Sequence, residues 1–214
     1  MQTPVTRKTI KDHLAYSWWK YGILVVVAFM AWSIIYAVTA YKPPEEKKIV
    51  VGALCNGTDQ YLTAYMESVR QEKMPDMELM EALSFVPDGA NGEVIIATHI
   101  VAKDCDVYIL PEAQFKNWAV KGAFKKLDVD LAPLVADLEA RGINLNRGRC
   151  ATEDGGELHL YGIPCRDIPG IEQILYSNTA DLYLCVFHDT GNDANALKFT
   201  DIFVRDMLDV QPIE

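Results

Sequence analysis

Five polar residues follow the ends of three predicted strands, and their side chains are of the kind that bind small ligands. Asn56, Thr58 and Asp59 follow the first apolar strand, Asp88 follows the second and Glu112 follows the third. In open parallel sheets, ligands bind outside the carboxyl ends of the strands. The Thr58 hydroxyl and the free amides of the helix behind it suit an anion or a hydroxyl group. The alternative is that Asn56 and Thr58 are turn and helix-cap residues only.

The sequence lacks the common motifs of catalysis. It contains no G-x-S-x-G elbow, no phosphate-binding P-loop, no G-x-G-x-x-G fingerprint and no H-E-x-x-H zinc motif. His188 follows a late strand, and His99 and His159 lie elsewhere. None of the four histidines lies within two residues of a cysteine. We therefore predict no catalytic residue and no cofactor.

Five cysteines are spread singly along the chain: Cys55, Cys105, Cys150, Cys165 and Cys185. Because there is no C-x-x-C pair and no Cys/His cluster at zinc spacing, they predict no metal site. Cys105 and Cys185 lie within apolar runs and Cys55 ends the first strand, where cysteine packs as a small apolar residue. Cys150 and Cys165 flank a Gly-rich turn and are the one pair for which we consider a disulfide.

One segment is long and apolar enough to cross a bilayer. Between Lys20 and Lys42 lie 21 residues without a charge. At about 1.5 Å per residue they cover the roughly 30 Å hydrocarbon core. Tyr and Trp residues crowd one end and mark the other half, as they do at membrane interfaces. We predict an uncleaved transmembrane helix over 21–41. The alternatives are a signal peptide cut after Ala40 and a buried core helix.

Charge orients this helix and limits the partners of the rest of the chain. Four bases and one acid precede the helix, and an excess of Lys and Arg stays cytoplasmic. We therefore predict a single-pass protein of the cell membrane with residues 1–20 in the cytoplasm, a stiff spacer over 42–48 and one domain, 49–214, outside. Residues beyond 41 carry 16 bases and 29 acids. Such an acidic domain repels phosphate backbones, so we exclude a nucleic-acid partner.

Hydrophobic periodicity divides the domain into alternating strands and helices. Strands are predicted over 48–55, 77–86 and 105–110, each followed by a helix, an alternation that builds a mainly parallel α/β sheet with helices on both faces. The pattern rests on apolar residues that recur at helical or period-2 spacing: Leu62, Tyr65, Met66 and Val69 in the first helix, Met77, Leu79, Leu83 and Phe85 in the second strand, Val94, Ala97 and Val101 in the second helix, and Phe115, Trp118 and Ala119 in the third.

The second half of the domain is predicted in less detail. A helix is expected over 131–141, a loop over 143–156, and strands over 158–163 and 181–187. A last helix begins near 192 and presents four apolar side chains inward: Phe199, Ile202, Phe203 and Met207.

Four segments carry a resemblance to a known family. They are, in order, the buried first strand, CDVYILPEAQFKNWAVKGAFKKLD, GELHLYGIPC and DLYLCVFHDTGNDANALKFTDIF. They resemble extracellular solute-binding proteins of ABC importers, in which an Asp-Val-Tyr strand leads into a helix, a Tyr-Gly-Ile-Pro segment follows, and a late strand precedes an Asn/Ala-Leu-Lys-Phe helix. The matched segments cover about half of residues 49–208.

The resemblance implies one lobe of a type II solute-binding fold rather than a two-lobed clamshell. Only 33 residues separate Leu127 from Tyr161, and 16 separate Pro164 from Asp181. Neither interval is long enough for a second lobe. One lobe offers a ligand an open shelf, whereas small-molecule sites are usually enclosed.

Three functions follow as hypotheses. The first is a membrane-tethered, non-catalytic module that acts by protein or surface contact beside an ABC transporter subunit or another membrane protein. The second is a tethered sensor that binds a small solute at 56–59 and 111–112. The third is a hydrolase or thiol enzyme with no recognised motif. The missing second lobe favours the first over the second, and the absent motifs disfavour the third.

Overall fold

The chain forms two compact units, residues 1–42 and residues 43–214. The computed structural model describes residues 7–55, 60–86, 89–153 and 155–210. In the first unit, helix α1 spans Arg7–Thr39. Its apolar part, Trp18–Thr39, is 22 residues long, its most apolar 18-residue stretch has a mean hydropathy of 2.2, and none of it is buried. The predicted apolar N-terminal helix is thus present. Its apolar part begins three residues before and ends two residues before the predicted range 21–41.

The second unit is built on a five-stranded sheet with the order β2-β1-β3-β7-β6. The strands of this sheet are β1 (Lys48–Leu54), β2 (Leu79–Phe85), β3 (Val107–Pro111), β6 (Ile163–Pro164) and β7 (Leu182–Val186). Strand β1 is parallel to β2 and to β3. Strand β7 is antiparallel to both of its neighbours, β3 and β6. Four of the five strands therefore run the same way, which confirms a mainly parallel sheet.

Helices cover both faces of this sheet. They are α2 (Gln60–Glu72), α3 (Gly89–Ala102), α4 (Glu112–Val120), α5 (Leu127–Asp130), α6 (Ala132–Ala140), α7 (Pro169–Leu175) and α8 (Asp193–Leu208). Helices α2 and α5 to α8 contribute to the core on one face, and α3 and α4 contribute to the core on the other. Alternate residues of β1 face the two cores: Val51 lies in the first and Val50 in the second. Burial on both faces explains why β1 reads as a continuous apolar run.

Asp106 joins three strands at the amino end of the parallel strands. Its amide donates to the Val50 carbonyl (2.9 Å), and its carbonyl accepts from the Phe187 amide (2.8 Å). Its carboxylate accepts from the Val50 amide (3.0 Å). The side chain is only 6% exposed, and burial raises the pKa of the carboxyl group. A buried carboxylate is tolerated here because it is hydrogen-bonded.

In two elements, the structure buries apolar residues other than those that the spacing picked out. In α3, Val94 and Val101 are 64% and 75% exposed, whereas Ile96 and Ile100 are buried. The helix is apolar nearly all round, so periodicity could not choose its buried face. In β2 the most buried side chains belong to the opposite phase, Met80 and Ala82, and the face that the spacing picked out is half-buried. This edge strand touches both cores, and therefore neither phase is polar.

The second half departs from the prediction in three places. The predicted strand 158–163 is divided into β5 (His159–Leu160), which pairs with β4 (Arg149–Cys150), and β6. Helix α7 was not predicted, because seven residues give too little periodicity to detect. The antiparallel direction of β7 was not predicted either.

All five cysteines are buried, and Cys105, Cys150, Cys165 and Cys185 are free thiols, which confirms the predicted burial of Cys55, Cys105 and Cys185. The disulfide considered between Cys150 and Cys165 is corrected to two free thiols. Cys165 belongs to the core on the α2 side of the sheet, whereas Cys150 belongs to the core on the α4 side. The sheet between these two cores keeps the two side chains apart.

Burial also controls the reactivity of these thiols. It raises the pKa of Cys105 from 9.0 to about 12, and it raises the pKa of Cys165 and of Cys185. At pH 8, a pKa of about 12 leaves roughly one thiol in ten thousand ionised, against about one in ten for a pKa of 9. The thiolate is the reactive form of cysteine.

We predict that Cys105, Cys165 and Cys185 of the native full chain in detergent are alkylated at least about 100-fold more slowly than an exposed thiol. Peptide mapping after timed alkylation at pH 8 measures each rate. Glu157→Cys, on an exposed loop, supplies the fast reference in the same molecule. Rates for Cys105 or Cys185 that match this reference would contradict the buried strand positions.

Candidate functional site

The carboxyl ends of β1, β2, β3 and β6 define one end of the sheet, which we call the rim. Asn56, Thr58, Asp59 and Asp88, four of the five predicted ligand residues, lie outside the described residues. Glu112, the fifth, is described and begins α4 directly after β3.

Glu112 bridges two cations at the rim. Its carboxylate lies 2.5 Å from the Lys116 ammonium, one helical turn further along α4, and 2.9 Å from the guanidinium of Arg147. The hydrogen bond from Lys116 is the main cause that lowers the pKa of Glu112, and the charge of Arg147 adds to it. The backbone amide of Glu112 donates to the carbonyl of Asp181 (2.8 Å). At this junction of α4 with the start of β7, two cations share the Glu112 carboxylate.

Tyr183 lies behind this cluster and was not predicted as a site residue. Its ring stacks on Phe115, with centroids 4.7 Å apart and an interplanar angle of 11°. Burial first, and then the charge of Glu112, raises the pKa of its phenol. The phenol therefore stays protonated and able to donate at neutral pH. Only the pairing of β3 with β7 places Tyr183 beside α4, so nothing local in the sequence marks it.

Two exposed tyrosines stack at the other side of the rim. Tyr61 in the first turn of α2 and Tyr176 after α7 have centroids 5.9 Å apart and are 54% and 76% exposed. A cavity of about 260 Å³ beside Tyr61 is also lined by Ile174 and Val210. Solvent-exposed aromatic residues are enriched at binding surfaces. Sequence reasoning missed this pair because it missed α7.

Two further cavities open at the opposite end of the sheet. One, of about 310 Å³, is lined by residues that include Phe124, Lys126, Tyr161 and His188. The other, of about 430 Å³, lies at the start of α8 and is lined by Glu46 and six residues of 189–195. Glu112, the predicted ligand residue that the structure describes, lines neither cavity.

Two histidines, His99 and His159, have a carboxylate as the partner of the ring nitrogen Nδ1. His99 Nδ1 lies 3.0 Å from an Asp104 carboxylate oxygen, and its ring packs on Phe85. His159 Nδ1 lies 3.2 Å from Asp128. Within the described ranges, no group of three or more His, Cys, Asp or Glu side chains could hold a metal ion.

No protein-family model and no curated protein matches this chain. Three solved structures show a partial likeness to it. An extracellular solute-binding protein family 1 member from Alicyclobacillus acidocaldarius has 15% identity and a TM-score of 0.39, over 57% of this chain and 29% of its own. Maltose-bound MalE3 of T. maritima has 18% identity and a TM-score of 0.41, over 55% and 28%. A cysteine mutant of Corynebacterium glutamicum OxyR has 12% identity and a TM-score of 0.34, over 95% and 75%.

The chain spans less than a third of the length of the first two structures. They are solute-binding proteins, the class that the four sequence segments resemble. With TM-scores below 0.5, we draw neither fold nor function from these likenesses. The fold class rests on the strand order and the two helical layers described above.

We predict that Glu112→Gln lowers the melting temperature by at most about 3 °C at pH 7, because a largely solvent-accessible ion pair contributes less than about 1 kcal/mol. A carboxyl group whose pKa is lowered by folding stabilises above its unfolded pKa and loses that contribution as pH falls through the folded pKa. The difference between wild type and variant should therefore vanish in acid. Thermal unfolding followed by circular dichroism at pH 7 and pH 3 measures it.

Glu157→Gln removes a carboxylate from an exposed loop position and serves as the matched control. A loss of melting temperature above about 10 °C in Glu112→Gln would mean that the ion pairs of Glu112 stabilise the whole domain and not only the rim. An equal loss in both variants would mean that net charge, and not this contact, matters.

Proposed function

We propose that this chain is a membrane-anchored, non-catalytic module whose domain lies outside the cytoplasm and acts by contact with a membrane protein, such as a transporter subunit, or with a small solute. The observation that carries the proposal is the apolar segment Trp18–Thr39, which has none of its residues buried. Exposing 22 such residues to water is costly, and a bilayer removes that cost. In this proposal residues 1–20 are cytoplasmic, 21–41 span the membrane, 42–48 are the spacer and 49–214 form the outer domain.

The state of the thiols supports a binding role over covalent catalysis. Nucleophilic cysteines need a lowered pKa and access to substrate. Here Cys105, Cys165 and Cys185 are buried, and burial raises the pKa of each.

The chemistry of the rim supports contact with a protein partner. It combines the cations Lys116 and Arg147, which share the Glu112 carboxylate, with the exposed Tyr61–Tyr176 stack. Tyr and Arg are the residue types that most often dominate binding energy at protein interfaces. The positive charge would orient a partner with an acidic surface.

A tethered sensor of a small solute is the second candidate. The cavity of about 260 Å³ beside Tyr61 is close to the roughly 300 Å³ at which ligand cavities begin. A solute bound there, or between this cavity and Glu112, would use the same rim.

We predict that protease added to intact spheroplasts digests a C-terminal tag, while a tag at the N-terminus stays protected. The physical reason is the excess of basic residues before the helix. In inverted membrane vesicles the pattern should reverse, which controls for tag accessibility. Protection of the C-terminal tag in spheroplasts would refute the orientation, and loss of the N-terminal tag from the mature chain would show cleavage after the helix.

We predict that a photo-crosslinking residue at position 61 or 176 yields one discrete adduct with a membrane protein in native membranes. The same residue at position 198, an exposed site on α8, is the control and should yield no such adduct. Arg147→Gln should weaken the adduct at least about threefold, because a rim charge acts on association. Equal labelling from 61, 176 and 198 would contradict a partner surface at the rim.

A thermal-shift screen of the full chain in detergent against sugars, amino acids and peptides separates the two candidates. A shift with micromolar affinity that Tyr61→Ala abolishes would favour the sensor over the protein contact.

A further inference from the structure

The chain builds a cavity of about 310 Å³ at the amino end of the parallel strands. Phe124 pairs with Phe187 as an isolated antiparallel bridge. The amide of Lys125 donates to the carbonyl of Val186 (2.9 Å), and the amide of His188 donates to the carbonyl of Ala123 (3.0 Å). These bonds fix the segment 123–125 beside the end of β7 and bring lysine and histidine side chains to one wall.

Among the lysines of this wall, Lys126 is the one whose ammonium group can bind a ligand. It forms no ion pair within the part of the chain that the structure describes, whereas the Lys125 ammonium lies 2.7 Å from Asp193. Asp130 is the acid in the lining. With Lys125 held by Asp193, Lys126 is the lysine of this lining left to face a ligand, and Asp130 would repel a second negative charge.

Tyr161 supplies a donor that lacks an acceptor. The residue is only 2% exposed and lines the cavity, and its hydroxyl has no hydrogen-bond partner among the described residues. Burial first, and then the charge of Asp128, raises the pKa of the phenol, so it remains a donor at neutral pH. An acceptor on a ligand in this cavity would give the hydroxyl a hydrogen-bond partner. Thr152, in the same lining, adds a second hydroxyl.

Apolar surface completes the cavity. Phe124, 3% exposed, and Val129, 62% exposed, both lie in its lining. Ligand sites are typically mostly apolar clefts of about 300–1,000 Å³ with a few placed polar groups. A volume of about 310 Å³ selects a ligand at the small end of that range.

Charge along the sequence points to the same place. Two stretches of the acidic domain, 113–127 and 140–152, contain no acid, and both contribute to the cavity. Together they contain seven of its basic residues: Lys116, Lys121, Lys125, Lys126, Arg141, Arg147 and Arg149. The net negative charge of the rest of the domain repels anions, so a site for an anion needs its own basic residues close by.

We infer that this cavity binds a small monoanion with an apolar body, a monocarboxylate above all, with its charged group on Lys126 and Tyr161 and its body against Phe124 and Val129. A single lysine without an ion-pair partner, with Asp130 in the same lining, favours a monoanion over a phosphate monoester dianion. The site lies at the opposite end of the sheet from the rim and does not depend on the proposed partner contact. A phosphodiester headgroup of an anionic lipid offers the same single charge.

The test is calorimetric titration of the full chain in phosphatidylcholine nanodiscs with benzoate, hexanoate, phenyl phosphate and benzyl alcohol. At least one of the two carboxylates should bind saturably and at least about tenfold more tightly than benzyl alcohol, since about 1.4 kcal/mol of charge interaction is a factor of ten. Phenyl phosphate should bind more weakly than the carboxylate. Lys126→Gln should weaken carboxylate binding about tenfold, and Tyr161→Phe about three- to tenfold.

Lys198→Gln removes an exposed lysine of α8, outside the cavity, and should leave the affinity within twofold of wild type. A nanodisc that contains phosphatidylglycerol distinguishes the source of the anion. Competition with the carboxylate in wild type but not in Lys126→Gln would identify a lipid headgroup as an occupant of the same site. Saturable binding by neither carboxylate, or equal binding by wild type and folded Lys126→Gln, would overturn the inference.

Discussion

The antiparallel pairing of β3 with β7 is the interaction on which the rest of this domain depends. Five registered pairs, from Val107–Val186 to Pro111–Leu182, join the strands. Because β7 runs against its neighbours, its beginning meets α4 at the rim and its end meets Phe124 at the opposite edge. Both candidate sites therefore form at the ends of one strand. Asp106 strengthens this arrangement, since it hydrogen-bonds to β1 and to the residue after β7.

Basic residues of this domain are clustered in stretches of the sequence without acids, and the fold brings most of them into ion pairs with carboxylates from elsewhere. Most bases of the acid-free stretches 113–127 and 140–152 pair with carboxylates from outside them: Glu112, Asp128, Asp137, Glu139, Asp193 and Asp209. Most such pairs are partly exposed and contribute little stability each. Their larger effect is to leave Lys126 as a cation without an ion-pair partner in the described ranges, beside a cavity of a domain that otherwise repels anions.

The two ends of the sheet suit different ligands for physical reasons. The rim presents exposed rings and charges on short elements, which suits a broad and reversible protein contact. The amino-end cavity presents one buried phenol, one free ammonium group and apolar walls, which suits a small charged molecule. Occupation of the cavity would touch the end of β7, whose beginning supports α4 at the rim. The pairing of β3 with β7 is thus a direct structural connection between the two ends.

The sequence by itself determined the elements whose pattern is local: the apolar helix α1, strands β1 and β3, and helices α2, α4 and α8 with their buried faces. It also placed Glu112 at the start of α4. It could not determine the buried face of α3, because Ile96 and Val101 are equally apolar. Only the tertiary structure decided the direction of β7, the partners of Glu112 and the placement of Lys126 and Tyr161, 35 positions apart in the chain, around one cavity. A strand carries the same pattern in either direction, and contacts between distant segments follow from packing rather than from spacing.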